Sequence, residues 1–251
     1  MVLTIDIGNT KTKVAVFEGE QPMEHIVVEQ INRECIGELI DKFGKFEKSI
    51  ISSVDAKEEQ RVADLFAEFG LKCHLLSYKS PLPFEIDYLT PETLGKDRIA
   101  ALAGAYAIGG KGNYLVIDCG TCNTCDLLVD GHFVGGNIAP GIQMRLDAMH
   151  HFTAALPQCS IQNAQFTIDK SLGKSTKSAI LNGAYFGIIN EINGYIERYS
   201  REYENLKIVL TGGLFNLQIV NISQLSTLNS QLFIEPTLVP KGLNYIANNV
   251  K

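Results

Sequence analysis

"DIGNTKTKVAVF", residues Asp6–Phe17, and "DCGTCNTCDLLV", residues Asp118–Val129, decide the fold between them. In the first stretch an apolar strand pattern ends on an acid. A small polar turn follows, and alternating residues then resume as a second strand. Alone, this is a β-hairpin whose loop carries ordinary turn residues, Gly8 and Asn9. Laid over the second stretch it gains meaning, because Asp6 meets Asp118, Gly8 meets Gly120 and Thr12 meets Thr124 at one constant separation. Self-similarity at a fixed offset signals a duplicated unit.

The pattern around each stretch supports duplication. Strands are expected at Val2–Ile7, Thr12–Phe17 and His25–Glu29. Ile36, Leu39, Ile40 and Phe43 then follow helical spacing up to Gly44, and Val62, Leu65, Phe66 and Phe69 repeat it up to Gly70. Between and after these helices, "SIISSV" (Ser49–Val54) and "CHLLS" (Cys73–Ser77) read as strands, for an order β-β-β-α-β-α-β. A breaker, "GGKGN" (Gly109–Asn113), precedes the second series. Strands at Tyr114–Asp118, Thr124–Val129 and His132–Ile138 lead to helical segments near Met144–Ala155 and Thr176–Tyr203. "KIVL" (Lys207–Leu210), a short helical stretch, "LFIE" (Leu232–Glu235) and a helix after Pro240 complete it. The expected architecture is α/β with two lobes, 1–112 and 113–251, whose Asp-Gly turns face a shared cleft.

Bulk properties narrow the functions. Of the 251 residues, 45% are hydrophobic and 20% charged, which fits a folded globular chain. A net charge of −6 argues against a general basic surface for nucleic acid. No apolar run reaches the roughly 18 residues of a membrane span, and "MVLTIDIG" lacks a basic leader and cleavage site. A cytoplasmic location is expected, with the six cysteines as free thiols.

Paired Asp-Gly turns suit phosphoryl transfer. That reaction needs donors around the phosphoryl group, cations to spread its charge, and an acceptor for the nucleophile's proton. Glycine lets backbone N–H groups approach phosphate, Asn and Thr add donors, and an acid at a strand end can hold Mg²⁺. The segment Asp6, Ile7, Gly8, Asn9, Thr10, Lys11, Thr12 and Lys13 supplies all of these. It is not the G-x-x-x-x-G-K-[ST] loop, which the chain lacks. A third segment, "YLTPETLGKDRIAALAGAY" (Tyr88–Tyr106), opens an amphipathic helix with Asp97 and Arg98 in its first turn. Asp97 there is either a helix-stabilising charge or a base for a hydroxyl, and Arg98 either an exposed residue or a clamp for a carboxylate.

In this order, "DIGNTKTK", "GKDR", "DCGT", "GGNIAPG" (Gly135–Gly141) and "TGG" (Thr211–Gly213) resemble the motifs of type III pantothenate kinases over nearly the whole chain. The resemblance implies an actin-like, duplicated ribonuclease-H-like fold around a nucleotide cleft, and a homodimer. It also implies transfer of the ATP γ-phosphate to pantothenate in coenzyme A synthesis, with Mg²⁺ and a monovalent cation, K⁺ or NH₄⁺. Carried over by position, Asp6 to Lys13 form the first phosphate segment, with Asp6 serving Mg²⁺, and Asp97 is the proton acceptor. Tyr88 and Gly95, Lys96, Asp97 and Arg98 contact pantothenate. Asp118 holds the monovalent cation and Thr121 a nucleotide phosphate. Thr176, or its neighbour Ser175, binds substrate, and the "TGG" turn lies on the adenosine side. Where the family commonly follows the second Asp with an aromatic residue, this chain has Cys119.

Other signals weigh less. Cys119, Cys122 and Cys125 form C-x-x-C-x-x-C, but Val129 stands where an iron–sulfur run continues with cysteine. Adjacent His150 and His151 on a helix point in different directions. Gly183 and Gly187, one turn apart, permit close packing at a dimer contact or within a lobe. Two other functions fit the same cleft: an actin-like kinase of another small molecule such as a sugar, and a catalytically silent nucleotide-binding regulator. The first lacks the zinc-binding Cys/His cluster of one sugar-kinase group. The second is disfavoured by retention of Asp6, Asp97 and Asp118.

Overall fold

A computed structural model describes residues 1–161, 172–216, 225 and 231–249 of the chain. The elements are β1 (Val2–Ile7), β2 (Thr12–Glu18), β3 (Gln21–Val28), α1 (Arg33–Phe43), β4 (Lys48–Ser53), α2 (Ala56–Glu68), β5 (His74–Leu75) and β6 (Glu85–Ile86). A 3₁₀ turn at Pro91–Thr93 leads into α3 (Lys96–Gly109). Then come β7 (Tyr114–Cys119), β8 (Cys122–Val129), β9 (His132–Pro140), α4 (Ile142–His151) and α5 (Thr176–Glu202). The last elements are β10 (Lys207–Thr211), α6 (Gly213–Asn216), β11 (Gln231–Ile234) and α7 (Leu238–Asn249).

The strand order is β3-β2-β1-β4-β5 in one sheet and β11-β10-β7-β8-β9-β6 in the other. Counted within each half, both sheets run third-second-first-fourth-fifth, and β6 adds a sixth strand beside β9. The same topology occurs twice. In the first sheet β1 pairs antiparallel with β2, bringing Asp6 opposite Lys13 and Ile7 opposite Thr12, and parallel with β4, bringing Asp6 opposite Ser52. Every residue of β1 is buried, as a central strand covered on both faces requires. Leu3, Ile5, Val14, Val16, Ile51, Val62 and Phe66 close one continuous core around it.

Local chemistry explains the helix boundaries. Asn32 Oδ1 accepts from Cys35 N at 2.9 Å to start α1, and Asp55 Oδ1 accepts from Lys57 N at 2.8 Å to start α2. Two features depart from sequence expectation. β6 and the 3₁₀ turn have no periodic signature, and β6 exists because it pairs in parallel with β9. Helix α3 is not a half-exposed amphipathic helix, since every residue from Arg98 to Ala105 is buried.

The chain forms two compact units, Met1–Tyr114 with Asp126–Gly135 and Thr237–Lys251, and Leu115–Cys125 with Gly136–Pro236. In the first unit α7 lies directly on α3. A Cβ on Gly242 would sit 1.8 Å from the Ala100 carbonyl oxygen, and one on Gly104 would sit 2.2 Å from that of Leu238. Only hydrogen fits at either place, so the two helices meet backbone to backbone.

Candidate active site

In the first unit, β1 ends on Asp6, which is 6% exposed. Ser52, at the end of the neighbouring β4, donates its hydroxyl to Asp6 Oδ1 at 3.2 Å, and Lys13 Nζ stands 3.8 Å from Oδ2. The turn beyond Asp6 closes through Gly8 N–H donating to the Lys11 carbonyl at 3.1 Å. Asn9, Thr10 and Lys11 are exposed, while Thr12 is buried. Burial pushes the Asp6 carboxyl above its ordinary 3.8; the Asp97 charge adds to the rise, against the pull of Lys13 and Ser52. Two carboxylates of the same unit therefore sit close enough to feel each other, which suits a cation bound between acids.

That shift has a consequence for stability. A carboxyl whose pKa rises on folding binds its proton more tightly in the native state. Its contribution is present in full below the unfolded value, about 4, and is lost as pH rises through the native value. Asp6→Asn removes the charge, so it should melt above wild type at pH 8, and the advantage should shrink as pH falls toward 4. Thermal denaturation of both proteins across that range checks this; a gap that does not change with pH contradicts the assignment.

Helix α3 presents the next residues. Asp97 is partly buried in its first turn, and Oδ1 accepts from the Arg98 backbone N–H at 2.9 Å. A Cβ at residue 95 would lie 2.5 Å from that oxygen, so a side chain there would push the Asp97 carboxylate out of this position. Lys96 bonds both oxygens of buried Glu59 on α2, at 2.7 and 2.6 Å. Arg98 is only 5% exposed rather than a surface residue. Its Nε and Nη2 donate to Oδ1 of fully buried Asp126, at 2.9 and 2.5 Å. The guanidinium carbon lies 5.8 Å from the Tyr88 ring centre and 5.5 Å from that of Phe133, two rings stacked at 5.6 Å. Burial opposes the guanidinium charge, but Asp126 and the Tyr88 hydroxyl more than offset it and raise the pKa above the usual arginine value.

The second unit repeats the arrangement with other partners. Asp118 stands near the end of β7, and Gly120 N–H donates to the Cys122 carbonyl at 3.0 Å to close the turn. Exposed Thr121 uses its carbonyl to accept from Gly141 N–H at 3.1 Å, just before α4. The "TGG" turn after β10 lies against Asp118. Gly212 has φ +98°, and a Cβ there would be 2.4 Å from Asp118 Oδ1 and 2.5 Å from the Cys119 carbonyl. At the start of α5, the Ser175 hydroxyl accepts from Ser178 N–H at 3.2 Å while the Ser178 hydroxyl accepts from Ser175 N–H at 3.0 Å. That reciprocal cap occupies Ser175 and leaves exposed Thr176 as the adjacent hydroxyl.

Asp6 to Lys13, Tyr88, Gly95, Lys96, Asp97 and Arg98 all belong to the first unit, where Asp6 and Asp97 lie near each other, and Asp118, Thr121 and Thr176 belong to the second. Sequence reading missed Ser52, Glu59, Asp126 and Phe133, all partners fixed by tertiary packing. None of the six cysteines is in a disulfide. Burial, with Asp118 and Glu191 nearby, pushes the Cys119 thiol up and disfavours its thiolate. His150 Nδ1 bonds the Leu156 carbonyl at 2.8 Å, whereas His151 meets the Phe152 ring edge.

Comparison with known proteins points to one family. The profile described as type III pantothenate kinase matches residues 2–198. A type III pantothenate kinase of Christiangramia forsetii is 38% identical over 248 residues, 98% of this chain and 97% of its own. One of Flavobacterium johnsoniae is 38% identical over 215 residues, 85% of this chain and 86% of its own. Among solved structures, a ROK family glucokinase from Streptomyces griseus, crystallised with glucose and AMPPNP, superposes with a TM-score of 0.55 at 13% identity, covering 99% of each chain. That likeness concerns the fold alone, and it is the duplicated actin-like one that the repeated strand order indicates.

Proposed function

The chain belongs to the type III pantothenate kinase family, and on that premise we propose that it transfers the γ-phosphate of ATP to pantothenate, the first step of coenzyme A synthesis. The observation that carries the mechanism is the neighbourhood of Asp6 and Asp97. The acid of the phosphate turn and the acid at the head of α3 are close enough that one raises the pKa of the other.

In this mechanism Asp97 accepts the proton of the pantothenate hydroxyl as the hydroxyl oxygen attacks the γ-phosphorus, and the bond from that phosphorus to the β,γ-bridging oxygen breaks to release ADP. The Arg98 N–H fixes one carboxylate oxygen, so the group is aimed before substrate arrives. Arg98 holds the pantothenate carboxylate, and Tyr88, Gly95, Lys96 and Thr176 orient the rest of the acceptor. The turn from Ile7 to Lys11, through N–H groups other than that of Gly8, binds ATP phosphate together with the side chains of Thr10, Thr12 and Lys13, and Thr121 contributes from the second turn. Asp6 fits Mg²⁺ because its donor set is a buried carboxylate destabilised by another acid, a conflict that a divalent cation relieves. Asp118, packed under Gly212, fits the monovalent cation, K⁺ or NH₄⁺. Bound there, the two cations would offset phosphate charge. A homodimer in the cytoplasm completes the proposal; none of the six cysteines is in a disulfide, as a reducing compartment favours. Among the described residues no helix is long and apolar enough to cross a membrane.

A coupled assay with ATP and pantothenate, run with K⁺, NH₄⁺ or Na⁺, tests the reading. Turnover should rise strongly with the two larger cations, whereas phosphorylation of sugars but not pantothenate contradicts it. The start of α5 offers a second test. Thr176→Ala should raise the pantothenate KM several-fold, by the roughly 1 kcal/mol of one hydrogen bond, and leave the melting temperature alone. Ser175→Ala should do the reverse, with a stability loss of about 1 kcal/mol from the missing cap. Steady-state kinetics with thermal melts separates the two, and reversed effects would move the substrate contact to Ser175.

A further inference from the structure

We infer that Asp126, with Phe133 as a shelf, is the positioning residue that sets the orientation of Arg98 toward the substrate carboxylate; this rests on the assignment of Arg98 as the carboxylate clamp. Asp126 lies on β8 and Phe133 on β9, whereas Arg98 lies on α3. Nothing in the local sequence around "GKDR" announces either partner.

The geometry supports orientation rather than mere charge balance. Arginine has three rotatable carbons before its planar head, and that freedom must be removed before the head can grip a carboxylate in a defined plane. Asp126 Oδ1 accepts from both Nε and Nη2, fixing one edge of the guanidinium. Its central carbon lies over the stacked Tyr88 and Phe133 rings, 5.8 and 5.5 Å from their centres. These contacts restrict rotation about the last bonds and favour the cation. Two bonds to Asp126 use two of the five guanidinium donors, so a second anion can be held without releasing the first. The pair is almost fully withdrawn from water. A buried ion pair is a weak source of stability, because desolvation offsets the attraction. It is a strong source of orientation.

The test compares two acceptors, pantothenate and the analogue in which its carboxylate is replaced by a primary alcohol. Asp126→Asn keeps the shape and removes the charge. Its pantothenate KM should rise about tenfold, the scale of one weakened charge-assisted bond. The KM for ATP and for the alcohol analogue should stay near wild type, and kcat should change little. A packing defect would raise KM for both acceptors alike, and that equal rise overturns the inference. Arg98→Gln serves as the reference. If it shows the carboxylate-dependent penalty and Asp126→Asn does not, Asp126 has no positioning role while the clamp stands. If Arg98→Gln shows none, the clamp assignment itself falls, and the inference with it. Should Asp126→Asn fail to fold, Phe133→Leu carries the test. It should raise the pantothenate KM about threefold through the lost cation–π contact without affecting the alcohol, and equal effects on both acceptors overturn the inference.

Discussion

Asp97→Asn should fold as the wild type does and lose about a thousandfold in kcat, within the range of a general base removed from a phosphoryl-transfer site. The variant keeps an oxygen that can accept from the Arg98 N–H, now 2.9 Å from Oδ1, so the first turn of α3 has no reason to move. Its charge at the helix N-terminus contributes only a few tenths of a kcal/mol. Substrate binding should survive, because pantothenate is held mainly by Arg98 and the other acceptor contacts. The expected signature is therefore a collapsed kcat with little change in either KM. Removing the Asp97 charge also takes away one cause of the raised Asp6 pKa, so that carboxyl should titrate lower in the variant. Steady-state kinetics with a thermal melt measures the first effect, and carboxyl resonances of Asp6 followed by NMR measure the second. Turnover near the wild-type rate would remove Asp97 from the chemistry.

The largest structural effect belongs to a glycine far along the chain from Asp97. Gly242→Ala would place a Cβ 1.8 Å from the Ala100 carbonyl oxygen and 2.6 Å from Gly104 N. Both are helix backbone, which cannot swing aside as a flexible side chain can, so α7 must separate from α3. Overpacking of this kind costs about 3 kcal/mol or more. In a chain of this size that corresponds to a drop of roughly 6–12 °C in melting temperature. Activity should fall below the melting point as well, because α3 carries Asp97 and Arg98 at its head. Gly194→Ala on α5 is the control, with no atom within 4 Å of the added carbon. In a helix interior it should be neutral or stabilising by up to about 1 kcal/mol. Equal losses in the two variants would contradict the close contact of α3 with α7.

These predictions mark how far the sequence could be read. Most strands and helices were legible because each carries its own period, and the duplicated order was legible because Asp6, Gly8 and Thr12 recur at a constant separation. The paired sheet orders bear that out. Strand β6 was not legible, since two residues have no period and its partner β9 lies far along the chain. The buried state of α3 was hidden for a related reason. Its small residues, Ala100, Ala101, Ala103, Gly104 and Ala105, suit either an exposed helix or one enclosed by close neighbours, and only α7 decides.

At the site, residue types could be recognised but their partners could not. Ser52 meets Asp6 across 46 positions, Lys96 meets Glu59 across 37, and Arg98 meets Asp126 across 28. No local spacing encodes such pairs. Arg98 shows the consequence most plainly. Beside Asp97 at a helix start it reads as an exposed arginine or a simple clamp, yet folding buries it among Asp126, Tyr88 and Phe133. Ser175 and Thr176 show the opposite case, in which the capping box to Ser178 follows from a spacing of three and separates two hydroxyls that alignment leaves together.

One reaction and one base carry the proposed mechanism. The most direct measurement incubates wild type and Asp97→Asn with Mg-ATP and pantothenate in K⁺ buffer and follows ³¹P NMR. Wild type should consume the γ-phosphate resonance and build a phosphomonoester on the pantothenate hydroxyl, while the folded variant leaves both reactants nearly unchanged over the same interval. Free phosphate without the ester, or ester formed as fast by the variant, would contradict it.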